Sequence, residues 1–160
     1  MTCNLFEMVF IPNKKNYLIY VDNNDIKLST PKLNVPFGIE KYNYKYIANL
    51  ELGDGADKFH NTLLNIDKFF MRMSSDRNFI KKFNNINMSI RDLFRKIYGK
   101  TYISCIKNRH GHPSLLRTYI KDPNVYCDIK GMSGNFKLHL STLWISKYNY
   151  GLIYYMNDME

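Results

Sequence analysis

The switch from strand to helix lies in residues 42–73, which read YNYKYIANLELGDGADKFHNTLLNIDKFFMRM. The first part begins with tyrosine at every second position, a period that predicts a strand with three tyrosines on one face. The turn-forming GDG at residues 53–55 ends this strand. From Asp57, which can cap a helix, apolar residues recur every three or four positions. We therefore expect an amphipathic helix to about residue 73, with Phe59, Leu63, Ile66 and Phe70 on its apolar side.

A second helical region follows the first. Ser75 and Asp76 can begin a stretch in which Phe79, Ile80 and Phe83 are the apolar positions. Ser89, with Asp92 three residues later, forms a variant of the capping box and predicts a helix at residues 90–98. Gly99 ends that helix.

Short β-rich runs lie on both sides of the helices. Before them we expect a hairpin of residues 5–11 and 17–21 and a short strand at Ile26–Ser29. After them, the predicted strands are residues 101–106, 115–120, 125–129, 136–140 and 143–155. The order predicts a mainly β, α+β protein, with helices between about residues 57 and 98. An OB-like Greek-key barrel of short antiparallel strands fits this pattern, and sandwiches and other α+β folds are the alternatives.

Length and composition favour one folded domain, residues 1–160. Cys3, Cys105 and Cys127 cannot all pair and show no CxxC spacing, so we expect reduced thiols in the cytoplasm or nucleus. The N-terminus lacks a signal-peptide pattern, and no apolar run approaches the roughly 18 residues that a membrane helix needs. We expect a soluble protein that is not secreted and has no membrane partner.

Positive charge is concentrated in residues 76–121. This segment holds eleven Lys or Arg and two Asp, so it carries the whole net charge of +9. A local cationic surface implies a polyanionic partner. Tyrosines lie among these charges, and cations that hold phosphates next to rings that stack on bases suit single-stranded nucleic acid. A solvated helix face with ordinary core tyrosines is the alternative interpretation.

The best ring candidates are Tyr102 and Tyr119, because each lies beside cationic positions on a short β run. Tyr42 and Tyr44 are further candidates, facing either the core or solvent. We expect Phe37 and Trp144 to belong to the core instead. The predicted nucleic-acid-binding residues are Lys100, Tyr102, Lys107, Arg109, His110, Arg117, Tyr119, Lys121, Tyr42 and Tyr44.

The sequence contains little that indicates an enzyme. G-x-S-x-G, P-loop and dinucleotide glycine patterns are absent. His110 and His112 could bind zinc with Cys105 and Cys127, but the spacing matches no standard finger, and a loop histidine beside Arg109 serves equally as a phosphate donor. Two loop acids, Asp54 and Asp57, make a weak Mg²⁺ nuclease site. We expect no catalysis, no metal and no cofactor.

The chain contains several runs whose order and spacing are informative together: TPKLNVPFGI at residues 30–39, IDKF at 66–69, YISCIK at 102–107, LWI at 143–145 and YGL at 150–152. In this combination, over about residues 28–156, the chain resembles the OB-fold single-stranded DNA-binding proteins of large eukaryotic (nucleocytoplasmic) DNA viruses. The resemblance implies a viral replication or recombination accessory protein in the host cytoplasm or nucleus that coats unwound DNA without sequence preference. Proteins of that family often end in an acidic tail that recruits replication enzymes, whereas residues 157–160 contain only two acids.

We therefore expect a non-catalytic protein that binds single-stranded DNA, with RNA as an alternative strand and replication proteins or further copies of the chain as additional partners. The alternative function is a viral structural or scaffold protein whose basic face contacts packaged genome or an acidic partner. Preference for single over double strands separates the two, because a scaffold would bind duplex equally well.

Overall fold

The computed structural model describes residues 5–79, 81, 88–126 and 129–159. Within these residues, twelve strands form one sheet, and two α-helices lie in the chain between the sixth and the seventh strand. The elements are β1 (Met8–Asn13), β2 (Asn16–Val21), β3 (Ile26–Ser29), β4 (Leu33–Asn34), β5 (Ile39–Tyr42), β6 (Lys45–Leu52), α1 (Asp57–Ser75), α2 (Met88–Ile97), β7 (Thr101–Ile103), β8 (Ile106–Arg109), β9 (His112–Ile120), β10 (Ser133–Gly134), β11 (Phe136–Ile145) and β12 (Asn149–Met159).

The predicted mainly β, α+β class is confirmed. The strands follow the order β1-β2-β11-β12-β9-β6-β4-β10, while β3, β5, β7 and β8 pair beside this path. Most pairs are antiparallel, and β12 pairs in parallel with β7 and β9. Because β1 and β10 end the path and no pairing joins them within the described residues, the sheet is open and a closed barrel is not shown.

The predicted N-terminal hairpin is confirmed, although Leu5–Glu7, expected in its first strand, form a 3₁₀ turn instead. β1 and β2 pair from Met8 opposite Val21 to Asn13 opposite Asn16, leaving a two-residue turn. Lys14 in that turn has a φ of 57°, as a tight hairpin turn requires. The short strand Ile26–Ser29 is confirmed as β3 and pairs with β11.

The strand predicted to begin with three tyrosines on one face is wrong. Asn43 and Tyr44 have φ values of 46° and 65° and form a two-residue turn, so the segment folds into the hairpin β5–β6. Positive φ at both central residues is the geometry of the tight turns that match strand twist. Tyr42 therefore lies opposite Lys45, and Tyr46 faces the other side of the sheet.

Three further strand predictions need correction. Residues 101–106 divide into β7 and β8, because the Ser104 hydroxyl accepts a hydrogen bond from the Ile106 amide and turns the chain. Asp122 accepts from the Asn124 amide at 3.0 Å and precedes a 3₁₀ turn at Pro123–Tyr126, where a strand at 125–129 was expected. Residues 127 and 128, including Cys127, lie outside the described residues. The expected run 143–155 is interrupted by the turn between β11 and β12.

The helices predicted from Asp57 and at residues 90–98 both exist, the first with a different cap and the second with an earlier start. Ser75, expected to begin a further helical stretch, is the last residue of α1. Asp57 lies in the first turn of α1 and not at its cap, where Ala56 makes no side-chain cap bond. Its charge still suits the helix N-terminus. α2 begins at Met88, and the Ser89 hydroxyl accepts from the Phe10 amide at 3.1 Å, which ties α2 to β1. Asp76 accepts from the Asn78 amide at 2.9 Å. Cys3, Ile80 and Phe83 lie outside the described residues.

The helices cover one face of the sheet. The predicted apolar side of α1 is confirmed, since Phe59, Leu63, Ile66 and Phe70 are buried. They pack in one core with sheet residues that include Leu50 and Tyr154. Phe10 and Phe70 meet edge to face with ring centres 6.1 Å apart. Alternate strand residues therefore point away from the helices, onto the opposite face.

Candidate nucleic-acid interface

The face of β5, β6, β8, β9, β11 and β12 that lies away from the helices is called the outer face here. On β6, Ala48, Leu50 and Leu52 belong to the helix-packed core, so the residues between them lie on the outer face. The pairing of β6 with β9 places Asn49 opposite Arg117. Paired side chains on one face lie about 5 Å apart and contact each other directly. The outer face includes Tyr42, Lys45, Ile47, Asn49, Lys107, Leu115, Arg117, Tyr119, Lys121, Trp144, Ile153 and Tyr155.

A small apolar floor supports the outer face. Ile47, Leu115 and Ile153 are buried, although their register turns them away from the helices. They lie outside the core that the helices share with the sheet. Polar and aromatic side chains of the outer face must therefore cover them from solvent.

Four cations lie over four aromatic rings on and beside this face. Such contacts form when a cation lies within about 6 Å of the centre of a ring. The pairs are Arg117 with Tyr42 at 4.5 Å, Lys121 with Tyr155 at 4.7 Å, Lys45 with Tyr119 at 5.5 Å, and Arg109 with Phe37 at 5.9 Å. Cationic and aromatic groups thus alternate across adjacent strands.

Two hollows flank these pairs. The Tyr42 hollow has a volume of about 500 Å³, and its walls include Phe37, Lys41, Tyr42, Ile47, Leu115 and Lys130. The Trp144 hollow has a volume of about 320 Å³, and its walls include Ile103, Ser104, Cys105, Ile106, Tyr119 and Trp144. Asn49, Lys107 and Arg117 border both hollows. The two cations therefore stand between the hollows, where a polyanion passing from one to the other would meet them.

Half of the predicted site residues come together on the outer face. Lys107, Arg117, Tyr119, Lys121 and Tyr42 lie there. Partial burial raises the pKa of Tyr119, and nearby Arg117 opposes that shift. The Tyr119 hydroxyl therefore stays neutral at physiological pH.

Three predicted residues lie at the margins. Arg109 donates to Glu51 at 3.1 Å and to the Pro113 carbonyl at 2.8 Å, which holds its guanidinium beside Phe37. Tyr44, at 94% exposed, occupies the β5–β6 turn, and His110 is exposed in the β8–β9 turn. Both turns lie at the ends of strands that form the outer face.

Two predicted residues lie elsewhere. The Lys100 ammonium donates to the Ser146 and Lys147 carbonyls, both at 2.7 Å, and so closes the β11–β12 turn. Tyr102 is half-buried, and its ring stacks with Phe70 on the helix side of the sheet. Neither residue lies in the candidate interface.

Tyr102 belongs to a buried polar cluster beneath the sheet. Its hydroxyl and that of Ser104 donate to the two carboxylate oxygens of Asp67, both at 2.5 Å. Burial raises the pKa of Asp67, and these two hydrogen bonds oppose the shift. Burial also raises the pKa of Cys105 to about 12, so this thiol stays protonated and unreactive. The cluster joins α1 to the end of β7, and Ser104 and Cys105 also line the Trp144 hollow.

Sequence reasoning missed several ring positions. Phe37 was expected in the core but is 45% exposed and contacts Arg109, while Gly38 has the expected positive φ of 66°. Tyr155 and Lys45 were not selected because neither lies in the basic segment. Trp144, also expected in the core, is half-buried and borders a hollow. A strict count of alternate positions on β12 would have placed Tyr155 on the face opposite Tyr154.

The basic segment divides between the two sides of the protein. Lys107, Arg117 and Lys121 lie on the outer face. Arg77, Arg91, Arg95 and Lys96 lie on or beside the helices instead. On that side Arg95 pairs with Asp92 at 3.9 Å, and the Arg77 side chain donates to the Tyr98 hydroxyl at 2.9 Å.

Among the residues that the structure describes, no group of three or more His, Cys, Asp or Glu side chains could hold a metal ion. In the same residues, every helix is too short or too polar to cross a membrane. Comparison of the chain with family models, with curated proteins and with solved structures finds no match.

Proposed function

We propose that this protein binds single-stranded DNA through its outer face, without catalysis and largely without sequence preference. In this proposal Lys107, Arg117 and Lys121 neutralise phosphates, and Tyr42, Tyr119 and neighbouring rings stack on bases. Such a protein would act in viral DNA replication or recombination, as the resemblance to viral single-stranded DNA-binding proteins implies. The proposal includes an OB-like arrangement of the strands. An open sheet is compatible with it, since OB folds are partly open barrels.

The alternation of cations and rings on one sheet face carries this proposal. Arg117 lies within 5 Å of the ring centre of Tyr42, across β6, and Lys121 lies within 5 Å of the ring centre of Tyr155. A phosphate and the base of the same nucleotide could therefore be bound by adjacent side chains. Base stacking on aromatic rings contributes roughly 1–3 kcal/mol per base and is tolerant of sequence.

The rings also favour single strands over duplex. In a duplex the bases already stack on each other, so exposed aromatic side chains gain no base contact, while phosphate contacts form with either substrate. The hollows on both sides of Arg117 provide space for unstacked bases. Charge alone would not give this preference.

A titration of fluorescent oligonucleotides tests the proposal. We expect oligo-dT and mixed-sequence single strands to bind with similar affinity and a fixed site size, and the matching duplex to bind more weakly at the same salt concentration. Oligo-rU in the same assay compares RNA with DNA. Equal affinity for duplex and single strand would contradict the proposal.

The cations on the helix side favour a second candidate function. Arg91, Arg95 and Lys96 lie on α2, on the side of the sheet away from the candidate interface. A viral scaffold protein could use this side to contact packaged genome or an acidic partner. Retention of duplex binding after the outer-face cations are reversed would favour the scaffold function.

A further inference from the structure

The Trp144 hollow has the dimensions of a site for a single base. Its volume of about 320 Å³ lies at the lower end of the roughly 300–1,000 Å³ of small-molecule pockets. Tyr119 and Trp144 supply aromatic walls, and Lys107 and Arg117 stand at the border towards the Tyr42 hollow. A strand held on those cations could turn one base into this hollow.

The Trp144 ring is fixed in place by a glycine. A Cβ atom on Gly151 would lie 2.8 Å from two indole atoms and 2.7 Å from the Ile103 carbonyl oxygen. The indole therefore lies directly on the backbone of β12, and only glycine allows this approach. A ring held against the backbone loses little freedom when a base packs against it.

Asn49 offers hydrogen bonds at the same place. Among the described residues its side-chain amide has no hydrogen-bond partner, and the residue is half-buried at the border of the hollow. An amide presents one donor and one acceptor side by side. Each of the four bases also carries a donor next to an acceptor on its Watson–Crick edge. One amide can therefore form two hydrogen bonds with any of them.

We propose that the Trp144 hollow holds one base of the bound strand, which packs against Trp144 and pairs its Watson–Crick edge with Asn49. This inference rests on the proposed single-strand binding and explains how a site can contact base edges without choosing a sequence. Asn49 is a binding residue in this scheme, and the hollow adds hydrogen bonds to the stacking on the rest of the outer face.

The substitution Asn49→Asp gives a sharp test. Aspartate presents two acceptors, and guanine alone has two adjacent donors, N1–H and N2–H₂, on its Watson–Crick edge. The wild type should bind d(GT)n and oligo-dT about equally, whereas N49D should prefer d(GT)n by at least about fivefold. The ratio of affinities matters here, because the added negative charge weakens binding to both strands.

Asn61→Asp is the matched control. Asn61 is exposed on α1, away from the outer face, so the same charge change should leave the ratio at its wild-type value. Thermal melts of both variants establish that they are folded. A ratio that stays unchanged in folded N49D would overturn the inference.

Trp144 fluorescence supplies a second measurement on the unmodified protein. The chain contains one tryptophan, so all of its indole emission reports on this hollow. Oligo-dT should quench that emission at stoichiometric concentration, while dTMP should do so only at far higher concentration. Strand binding without any change in emission would reject the hollow and leave the proposed function intact. Failure of every strand to bind would reject both, and quenching by dTMP alone would assign the hollow to free nucleotides.

Discussion

The guanidinium carbon of Arg117 on β9 lies 4.5 Å from the centre of the Tyr42 ring on β5. β6 runs between these two strands, so the contact reaches across a full strand of the sheet. A cation–ring pair of this kind contributes about 0.5–1 kcal/mol at an exposed site. It also holds the guanidinium proposed to bind phosphate next to the ring proposed to stack on a base.

Reversal of Lys107 and Arg117 to glutamate should weaken binding to every single strand alike, because phosphate contacts carry no base information. The slope of log affinity against log salt should become shallower by about 0.7 for each lost phosphate contact. Salt titrations with oligo-dT measure both effects. Arg95→Glu with Lys96→Glu on α2 makes the same charge change on the other side and should leave the slope nearly unchanged. A larger effect from the α2 pair would place binding on the helix side.

Replacement of Tyr42 by alanine should lower single-strand affinity by roughly 1–3 kcal/mol, because a stacking ring is removed. The salt slope should stay the same, since no phosphate contact is lost. Tyr148→Ala is the control, because Tyr148 is also exposed beside a cation, Lys147 at 5.2 Å, but borders neither hollow. Equal losses in the two variants would argue against stacking on the outer face.

Replacement of Tyr102 by alanine should act on stability instead. The variant removes a half-buried ring that packs on Phe70, and we expect unfolding to become easier by about 3–5 kcal/mol. The folded fraction should bind oligo-dT with wild-type affinity. Urea denaturation and a titration below the melting temperature measure the two quantities separately. If the variant were as stable as the wild type but bound oligo-dT more weakly, Tyr102 would belong to the interface.

The buried carboxyl of Asp67 predicts a specific pH dependence. Its pKa is raised above the usual 3.8 in the folded protein, so the folded state binds the proton more tightly than the unfolded state. The resulting stability is fully present below pH 3.8 and is lost as pH rises through the raised pKa. Asp67→Asn cannot titrate, so its free energy of unfolding should fall less than that of the wild type over this range. Denaturant melts of both proteins from about pH 3.5 upwards provide the comparison. If the free energies of unfolding of the wild type and the variant changed in parallel with pH, Asp67 would not be the source of the pH dependence.

Gly151→Ala should destabilise the protein by about 1–3 kcal/mol, because the new methyl group overlaps the Trp144 ring and the Ile103 carbonyl. Gly53→Ala is the matched control, since a Cβ there meets only Pro113 at an ordinary 3.7 Å. Thermal melts followed by circular dichroism compare the two variants. An undisturbed G151A protein would show that the indole can move away from β12 at little cost.

Local patterns predict some elements of this fold well and others poorly. The spacing of Phe59, Leu63 and Ile66 determines one side of α1, and no distant contact is needed to find it. The turn at Asn43 and Tyr44 has no glycine, so the usual sign of a tight turn is missing. The open order of the sheet depends on pairings between distant strands, and these leave no local pattern.

The candidate site also contains residues that the sequence predicts and residues that it does not. Charge concentration identifies Lys107 and Arg117 because it can be counted along the chain. Tyr42 and Tyr102 both lie next to charged or polar residues in sequence, so their neighbours do not distinguish them. Only the hydrogen bond to the Asp67 carboxylate shows that the Tyr102 side chain points inward. Phe37 is held at the surface by Arg109, a residue far away in sequence. Such assignments require the tertiary contacts.

The separate apolar floor under the outer face has a consequence for protein engineering and for the evolutionary divergence of this surface. Ile47, Leu115 and Ile153 support the rings and cations without belonging to the core that the helices stabilise. A combinatorial library at positions 42, 117 and 119 should therefore yield variants with a wide spread of ligand affinities and a narrow spread of melting temperatures. Selection can redirect such a surface towards a new ligand without a compensating change on the helix side.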